Sequence, residues 1–298
     1  MKKRVTFDTL DVNAPIFSDE PDAKNNVTWQ QIKFYLQNDP HLYWEIRKDN
    51  QVNVYYEGGS LIRLHYCSKH KRFQAFIHEK YLGNKGSKYV DLLNLIEENN
   101  WPIVETINSI KQRIRAIYSA RNGVENEEKW SEKYLQGGML TGTYCYGPTK
   151  WIDSEFAYKD NEFDIRIDLI SLEDGELRFW ELKRLDDPRM IKSTEDAPEV
   201  VRQMRDYKRF AQTYEKELIA YFEKVKMIKQ KLGVWVPAGK IQRLNTEPLL
   251  IIYNRWTKPT AGRLKHMERM ENILKREHID YRILKKDRLL QQNNSENL

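Results

Sequence analysis

The spacing of apolar residues changes several times along the chain, and each change marks an element. Residues 1–26 are polar, carry Pro15 and Pro21, and read as an irregular arm or a loosely docked leader. Over 27–38 (VTWQQIKFYLQN), Trp29, Ile32, Tyr35 and Leu36 recur at helical spacing, with Thr28 placed as an N-cap. The period then falls to two. LYWEIRK, QVNVYYE, SLIRLHYC and KRFQAFIHE are short and rich in β-branched and aromatic residues. Turn signals such as Lys48-Asp49-Asn50 and Gly58-Gly59 separate them, so they predict a four-stranded antiparallel meander. Helical spacing returns at 87–99 and, after Pro102, at 103–121, where Ile103, Ile107, Ile110, Ile114 and Ile117 share a face and Gly123 closes the helix.

Beyond residue 125 the pattern predicts helix (125–136), strands (151–158, 163–172, 176–184), a long helical stretch (197–231) with a bend within 212–217, strand (248–253), helix (260–277) and strand (280–284). The fold class expected is α/β, a mixed sheet flanked by helices, with an N-terminal α+β module. The division that follows is an arm at 1–26, an α+β accessory module at 27–100, a connecting helix at 101–124, a second domain at 125–286 and a polar tail at 287–298. No internal repeat is present.

Composition narrows the class. The chain has 298 residues, of which 40% are hydrophobic, 12% aromatic and 32% charged. That supports packed domains and argues against disorder, which is poor in aromatics. A net charge of +6 suits a polyanionic partner. Cys67 and Cys145 lie too far apart for a CxxC site and read as buried free thiols of a reducing, cytoplasmic setting. The six histidines show neither HxH nor HExxH spacing, so zinc is not supported. No apolar run reaches the length of a membrane span, and no apolar segment of a signal peptide follows the basic start.

Chemistry concentrates in 163–187, FDIRIDLISLEDGELRFWELKRLDD. Two strand-like segments flank Asp174-Gly175, a hairpin signal. On the first, Arg166, Asp168 and Ile170 share a face. On the second, Leu177, Phe179, Glu181 and Lys183 do. If pairing puts Asp168 on the face of Glu181 and Lys183, three charged groups converge. Phosphodiester hydrolysis uses such a set. A divalent cation takes one or two carboxylates with waters and phosphate oxygens, and an ammonium offsets charge on the phosphate or holds the attacking water. Asp168 and Glu181 would bind Mg²⁺ or Mn²⁺, with the Leu182 carbonyl as a further ligand, and Lys183 would act on water and phosphate. An acid-x-Lys triplet is weak alone, since it recurs at Asp22, Glu127 and Asp206; only Glu181-Leu182-Lys183 lies in an apolar strand after a hairpin. On the next helix Gln203 and Tyr207 are one turn apart.

These pieces, Arg166-Ile167-Asp168-Leu169-Ile170, Glu181-Leu182-Lys183 and Gln203-Met204-Arg205-Asp206-Tyr207, resemble the PD-(D/E)xK nucleases, in particular their RecB-like branch. The resemblance covers roughly residues 125–255. It implies an αβββαβ restriction-endonuclease-like core, metal at Asp168 and Glu181, catalysis by Lys183, and support of the site or the DNA by Gln203 and Tyr207. Departures leave alternatives open. No proline precedes the first acid, and Asp164 is a rival for that role. An acid on the first helix would be Glu128 or Glu132, and Glu155 on the preceding strand is a further candidate.

Between 255 and 286 stand ten Lys or Arg against four Asp or Glu. Arg263, Lys265 and Arg269 there, with Lys224 and Arg205 on the preceding helices, are the expected phosphate contacts. Lys226, Lys229 and Lys231 extend the basic face near Lys224. The meander adds Tyr55, Tyr56, Arg63, His65, Tyr66, Lys69, Lys71 and Arg72 as a candidate nucleic-acid face. The expectation is a Mg²⁺- or Mn²⁺-dependent DNA nuclease for defence, restriction or repair, with RNA left open as a substrate. A protein partner through the N-terminal module and a homodimer are left open too. The competing readings are a non-catalytic nucleic-acid-binding protein on the same scaffold and a protein-interaction subunit.

Overall fold

The computed structural model describes residues 7–18, 22–122, 130–141, 150–192, 197–256, 258 and 260–284. They form two compact units. The N-terminal unit takes the described parts of Asp8–Asn122 and Lys224–Val236. The C-terminal unit takes Phe7 and the described parts of Gly123–Glu223 and Pro237–Leu298.

In the N-terminal unit the elements are α1 (Asn26–Gln37), β1 (Leu42–Arg47), β2 (Gln51–Tyr56), β3 (Gly59–Cys67), β4 (Arg72–His78), β5 (Tyr89–Asp91), α2 (Leu92–Asn99) and α3 (Ile103–Asn122). The sheet is antiparallel throughout, ordered β1-β2-β3-β4-β5. The expected meander thus gains a fifth strand, and the helix expected from 87 begins only at Leu92. Asp91 Oδ1 accepts from Leu93 N (3.2 Å) and caps α2, which leaves Tyr89–Asp91 extended to pair with β4. Thr28 is not a cap. Helix α1 starts two residues before it, and the side chain of the preceding Asn25 holds the Phe73 backbone at 2.7 and 2.9 Å. The described part of the expected arm is docked rather than loose, since Leu10, Ala14, Ile16 and Phe17 are buried. Helix α3 is no connector. Ile107, Ile110 and Ile114 are buried, Lys111 pairs with Asp39, and Tyr35 donates to Asn108 (2.6 Å). Much of the candidate nucleic-acid face is engaged within the unit: Tyr56 is buried, Tyr55 stacks on Tyr43, Arg63 lies over the Tyr89 ring, and Arg72 bonds Asn94.

The C-terminal unit runs α4 (Glu132–Leu140), β6 (Trp151–Lys159), β7 (Asp164–Glu173), β8 (Glu176–Arg184), α5 (Glu199–Thr213), α6 (Glu215–Lys231), β9 (Arg243–Tyr253), α7 (Ala261–Arg276) and β10 (Tyr281–Leu284). Its mixed sheet is ordered β10-β9-β8-β7-β6. Strands β6, β7 and β8 are antiparallel, and β9 and β10 add in parallel after helical crossovers. Asp174 (φ 49°) and Gly175 (φ 76°) both take the left-handed conformation, which makes the β7–β8 hairpin turn. Strand β9 begins five residues before its expected start. Arg243–Asn245 pair with Glu176–Arg178, and the register shifts before Leu249, where Pro248 has no N–H to give. The first helix of this unit ends at Leu140 rather than 136, and its expected start at 125 lies outside the described residues. The tail at 287–298, Cys145 and Gly123 also lie outside them. Cys67 is a free thiol and half-buried, not buried as expected.

The long helical stretch breaks at Tyr214, inside the expected window. Glu215–Glu223 belongs to the C-terminal unit and the rest of α6 to the N-terminal one. That overturns the basic face expected near Lys224. Lys226 and Lys229 are buried, Lys229 Nζ lies 3.7 Å from the buried Glu45, and Lys231 donates to the Val12 carbonyl (2.9 Å). Among the described residues no helix is long and apolar enough to cross a membrane.

Helices α5 and α7 bury Val200, Val201, Met204, Met270, Ile273 and Leu274 against Leu250 and Ile252 of β9. An aromatic cluster of Phe7, Tyr158, Phe163, Phe210 and Tyr214 closes the β6–β7 end. Asp160 pins the turn there, accepting from Glu162 N (2.8 Å), Phe163 N (2.7 Å), Tyr158 Oη (3.0 Å) and Tyr214 Oη (2.7 Å). Partial burial works to raise its pKa, but these bonds outweigh that and hold it at about 2. A depressed carboxyl pKa contributes stability above its unfolded value, near 3.8, that is lost as pH falls toward 2. The expected outcome is that Asp160→Asn unfolds at lower denaturant at pH 7. It should also flatten the stability lost by the parent between about pH 4 and 2, as chemical denaturation across that range will read.

Candidate active site

Strand β8 is the middle strand of five, with both edges paired, and the unbroken burial from Phe179 to Lys183 shows that both of its faces are covered there. Pairing of Leu169 with Trp180 and of Ile170 with Phe179 sets Asp168 across from Glu181 on one face. Lys183 Nζ bonds Glu181 Oε1 directly and lies 4.0 Å from Asp168 Oδ2. Asp168 Oδ2 also accepts from Leu182 N (3.0 Å), and the Leu182 carbonyl accepts from Lys183 Nζ (3.3 Å). Glu181 is 1% and Lys183 2% exposed. The three residues singled out in the sequence, and the carbonyl between two of them, therefore meet.

Helix α5 supplies the support. Tyr207 Oη donates to Glu181 Oε2 (2.7 Å) and contacts the Arg166 carbonyl, and Gln203 Nε2 donates to Tyr207 Oη (2.8 Å). Tyr207 is buried, whereas Gln203 faces an open cleft of about 400 Å³ that Arg166, Arg189 and Arg202 also line. Of the helix acids, Glu132 reaches the site and Glu128 lies outside the described residues. Ser131 caps α4 and sets Glu132 in its first turn. Glu132 accepts from Arg184 N and from Arg189 Nη2, both at 3.4 Å, within electrostatic reach of Lys183 and Asp168.

The rival acids fall elsewhere. Asp164 is 71% exposed, pairs with Lys159 and lines the outer cleft, while Glu155 pairs with Arg166. Among the expected phosphate contacts, Arg205 pairs with Glu277 (2.5 Å), Arg263 donates to the Lys258 carbonyl (3.0 Å), and Lys224 belongs to the N-terminal unit, 3.7 Å from Asp8. Lys265 and Arg269 are exposed on α7.

Three contributors escaped the sequence reading. Gln136, buried on α4, donates to the Asp168 carbonyl at 2.5 Å. Asp187 caps the short turn Pro188–Met190 after β8, and its carboxylate holds Arg189 at 2.5–3.1 Å, which in turn meets Glu132. Gln136 stands one turn after Glu132, and Asp187-Pro188 is a cap signal, so both carried a trace in the sequence.

Electrostatics explain what this arrangement asks for. Burial, then the Asp168 charge, pushes the Glu181 carboxyl up to about 8, against the lowering effect of Lys183 and Tyr207. Burial also raises Asp168 and Glu132. Lys183 is driven down by burial, but Glu181, Asp168 and Glu132 more than reverse that and keep it charged. With both acids ionised, two carboxylates would face one ammonium in a buried site; the raised Glu181 carboxyl reflects the cost of that charge, which a bound cation would relieve. Asp168, Glu181 and the Leu182 carbonyl are oxygen donors, the type that Mg²⁺ and Mn²⁺ prefer. Among the described residues no closed group of three or more His, Cys, Asp and Glu stands ready as a metal cage. Mg²⁺ is commonly held by one or two carboxylates with waters completing its shell, and the donor set here fits that use.

Removing the Tyr207 hydroxyl strips a partner from Gln203, from Glu181 and from a backbone carbonyl. Tyr207→Phe is expected to cost about 1–3 kcal/mol, the penalty for orphaned buried polar groups, in metal-free urea unfolding. Gln203→Ala, at the cleft side, should cost less. Compared with known protein families, with curated proteins and with solved structures, the chain matches none, so its functional reading rests on this geometry.

Proposed function

We propose that the protein is a metal-dependent nuclease of the PD-(D/E)xK type, hydrolysing phosphodiester bonds in DNA on a restriction-endonuclease-like core. The observation that carries this reading is the meeting of Asp168, Glu181 and Lys183 on adjacent strands, with Tyr207 and Gln203 locked onto Glu181 from the crossover helix. The order of α4, three antiparallel strands, the consecutive helices α5 and α6, and the parallel strand β9 supports such an αβββαβ core, with α6 as an additional helix.

Asp168 and Glu181 would hold Mg²⁺ or Mn²⁺ with the Leu182 carbonyl. A cation held there supplies polarisation of the phosphate and acidification of a water. Lys183 donates to the attacking water or to a phosphate oxygen as negative charge grows on it. Tyr207 and Gln203 orient Glu181, and Gln136 fixes the Asp168 backbone from behind. Glu132, already engaged by Arg189, lies within electrostatic reach of Lys183. A restriction, defence or repair setting suits such an enzyme by analogy alone.

A second reading, a nucleic-acid-binding scaffold that does not cut, draws on the near-complete burial of Glu181 and Lys183 in a direct ion pair. Incubation with linear, circular and single-stranded DNA and with RNA, in Mg²⁺, Mn²⁺ or EDTA, separates the two. Cleavage should require the cation and fall at least about 100-fold in Lys183→Ala, the usual scale for losing a group that stabilises transition-state charge. Equal cleavage by the two proteins sinks the assigned site, and binding without cleavage supports the scaffold reading. Calorimetry of Mn²⁺ binding, which needs no turnover, should show the heat of binding lost in Asp168→Asn and kept in Lys183→Ala.

A further inference from the structure

A second surface, outside the carboxylate site, lies along α7. A groove of about 670 Å³ is floored by Ile191, Pro198 and Ile273 and rimmed by Lys265, Arg269 and Arg276, with Glu268 the acid among its lining residues. The three cations fall at positions i, i+4 and i+11 of one helix. At about 1.5 Å rise per residue they are spread over about 16 Å of its length.

Most cations of this region have internal work. Arg276 and Arg205 are held by Glu277, Lys275 lies 3.7 Å from Glu271, and Arg263 covers the Trp256 ring. Lys265 and Arg269 differ: both are exposed, and among the described residues neither is engaged by an acid. The helix that rims the groove is tied to the end of the strand that carries the candidate site. His266 Nε2 meets the Leu185 carbonyl at 2.8 Å, two residues beyond Lys183, and Pro198 leads into α5, which bears Gln203 and Tyr207.

Charge alone describes a solvated helix face, and the apolar floor is what sets this one apart. A duplex offers phosphates on its outside and keeps its base faces stacked within. It would touch the rim and leave the floor empty. An unpaired strand offers phosphates and free base faces together, which suits a cationic rim over an apolar floor.

We propose that this groove binds a single-stranded segment of nucleic acid beside the carboxylate site, Lys265 and Arg269 taking its phosphates. The proposal rests on the nuclease reading and adds the form of nucleic acid held. The test uses the full chain in EDTA, so that nothing is cut. Fluorescence anisotropy compares a labelled mixed-sequence single-stranded 20-mer with the blunt duplex of the same sequence over a range of salt.

The parent should bind the single strand more tightly than the duplex. Lys265→Ala with Arg269→Ala should weaken single-strand binding at least about 10-fold and reduce the slope of log affinity against log salt by about 1.4, two phosphate contacts at about 0.7 each. Lys265→Arg with Arg269→Lys should restore both. Unchanged affinity and slope in the alanine protein overturn the groove and leave the nuclease reading standing, as does an equal loss for duplex. A parent that binds neither form in EDTA overturns the groove and leaves the nuclease reading to the cleavage test.

Discussion

The C-terminal unit is organised around the ion pair between Glu181 and Lys183, buried on the middle strand of its sheet. Taking a carboxylate and an ammonium out of water costs several kcal/mol each, and their mutual attraction offsets that only when further bonds satisfy both groups. Here they do so in part. Tyr207 holds the second Glu181 oxygen, the Leu182 carbonyl accepts from Lys183 Nζ, and Asp168 Oδ2 lies 4.0 Å from the ammonium. Two acids share one base in a dry place, and the Glu181 carboxyl is pushed up to about 8, with burial the larger cause. A sheet centre that only had to be stable would carry apolar residues at these positions, since such replacements are often neutral or stabilising.

Neighbouring elements follow from serving that pair. The parallel crossover brings α5 over β7 and β9, which aims Tyr207 down at Glu181 and leaves Gln203 at the cleft. Helix α4 sets Gln136 behind Asp168 and Glu132 beside Lys183. Arg189 keeps Glu132 in place, and Asp187 keeps Arg189 there: burial works to raise the Asp187 carboxyl, but its bonds to Arg189 hold it at about 2. The proposed nuclease chemistry needs rigid donors, and these side chains are fixed by bonds rather than by the length of a loop.

The N-terminal unit has a charge pattern of its own. Glu45, buried on β1, faces Lys229 from the second half of α6 and Arg47 from its own strand, each at 3.7 Å. Lysines that look in one dimension like a basic recognition face thus serve as packing and pairing groups. The same holds for Arg63 over Tyr89. Counting cations along a helix overstates what the helix shows to solvent, because long side chains bury their stems and find acids on neighbouring elements.

Sequence alone determined most of the elements and the residues at the centre of the candidate site. Periodicity, Asp174-Gly175 and the Gln203–Tyr207 spacing rest on interactions between residues near in the chain. The hairpin and the face shared by Glu181 and Lys183 were therefore legible in the order of residues itself, whereas no strong local signal marked the break at Tyr214. Non-local contacts decided the rest. Asp168 prevailed over Asp164 in position because strand register, which no single strand encodes, sets it opposite Glu181 while Asp164 stays at the exposed strand start. Tyr89–Asp91 became a strand because β4 was there to pair with it, and the early start of β9 depended on β8 in the same way. Glu132 and Gln136 joined the site because α4 packs on β8, nearly fifty residues later in the chain. The fate of each lysine, buried on Glu45 or exposed above a groove, turned on which acids the fold placed within reach.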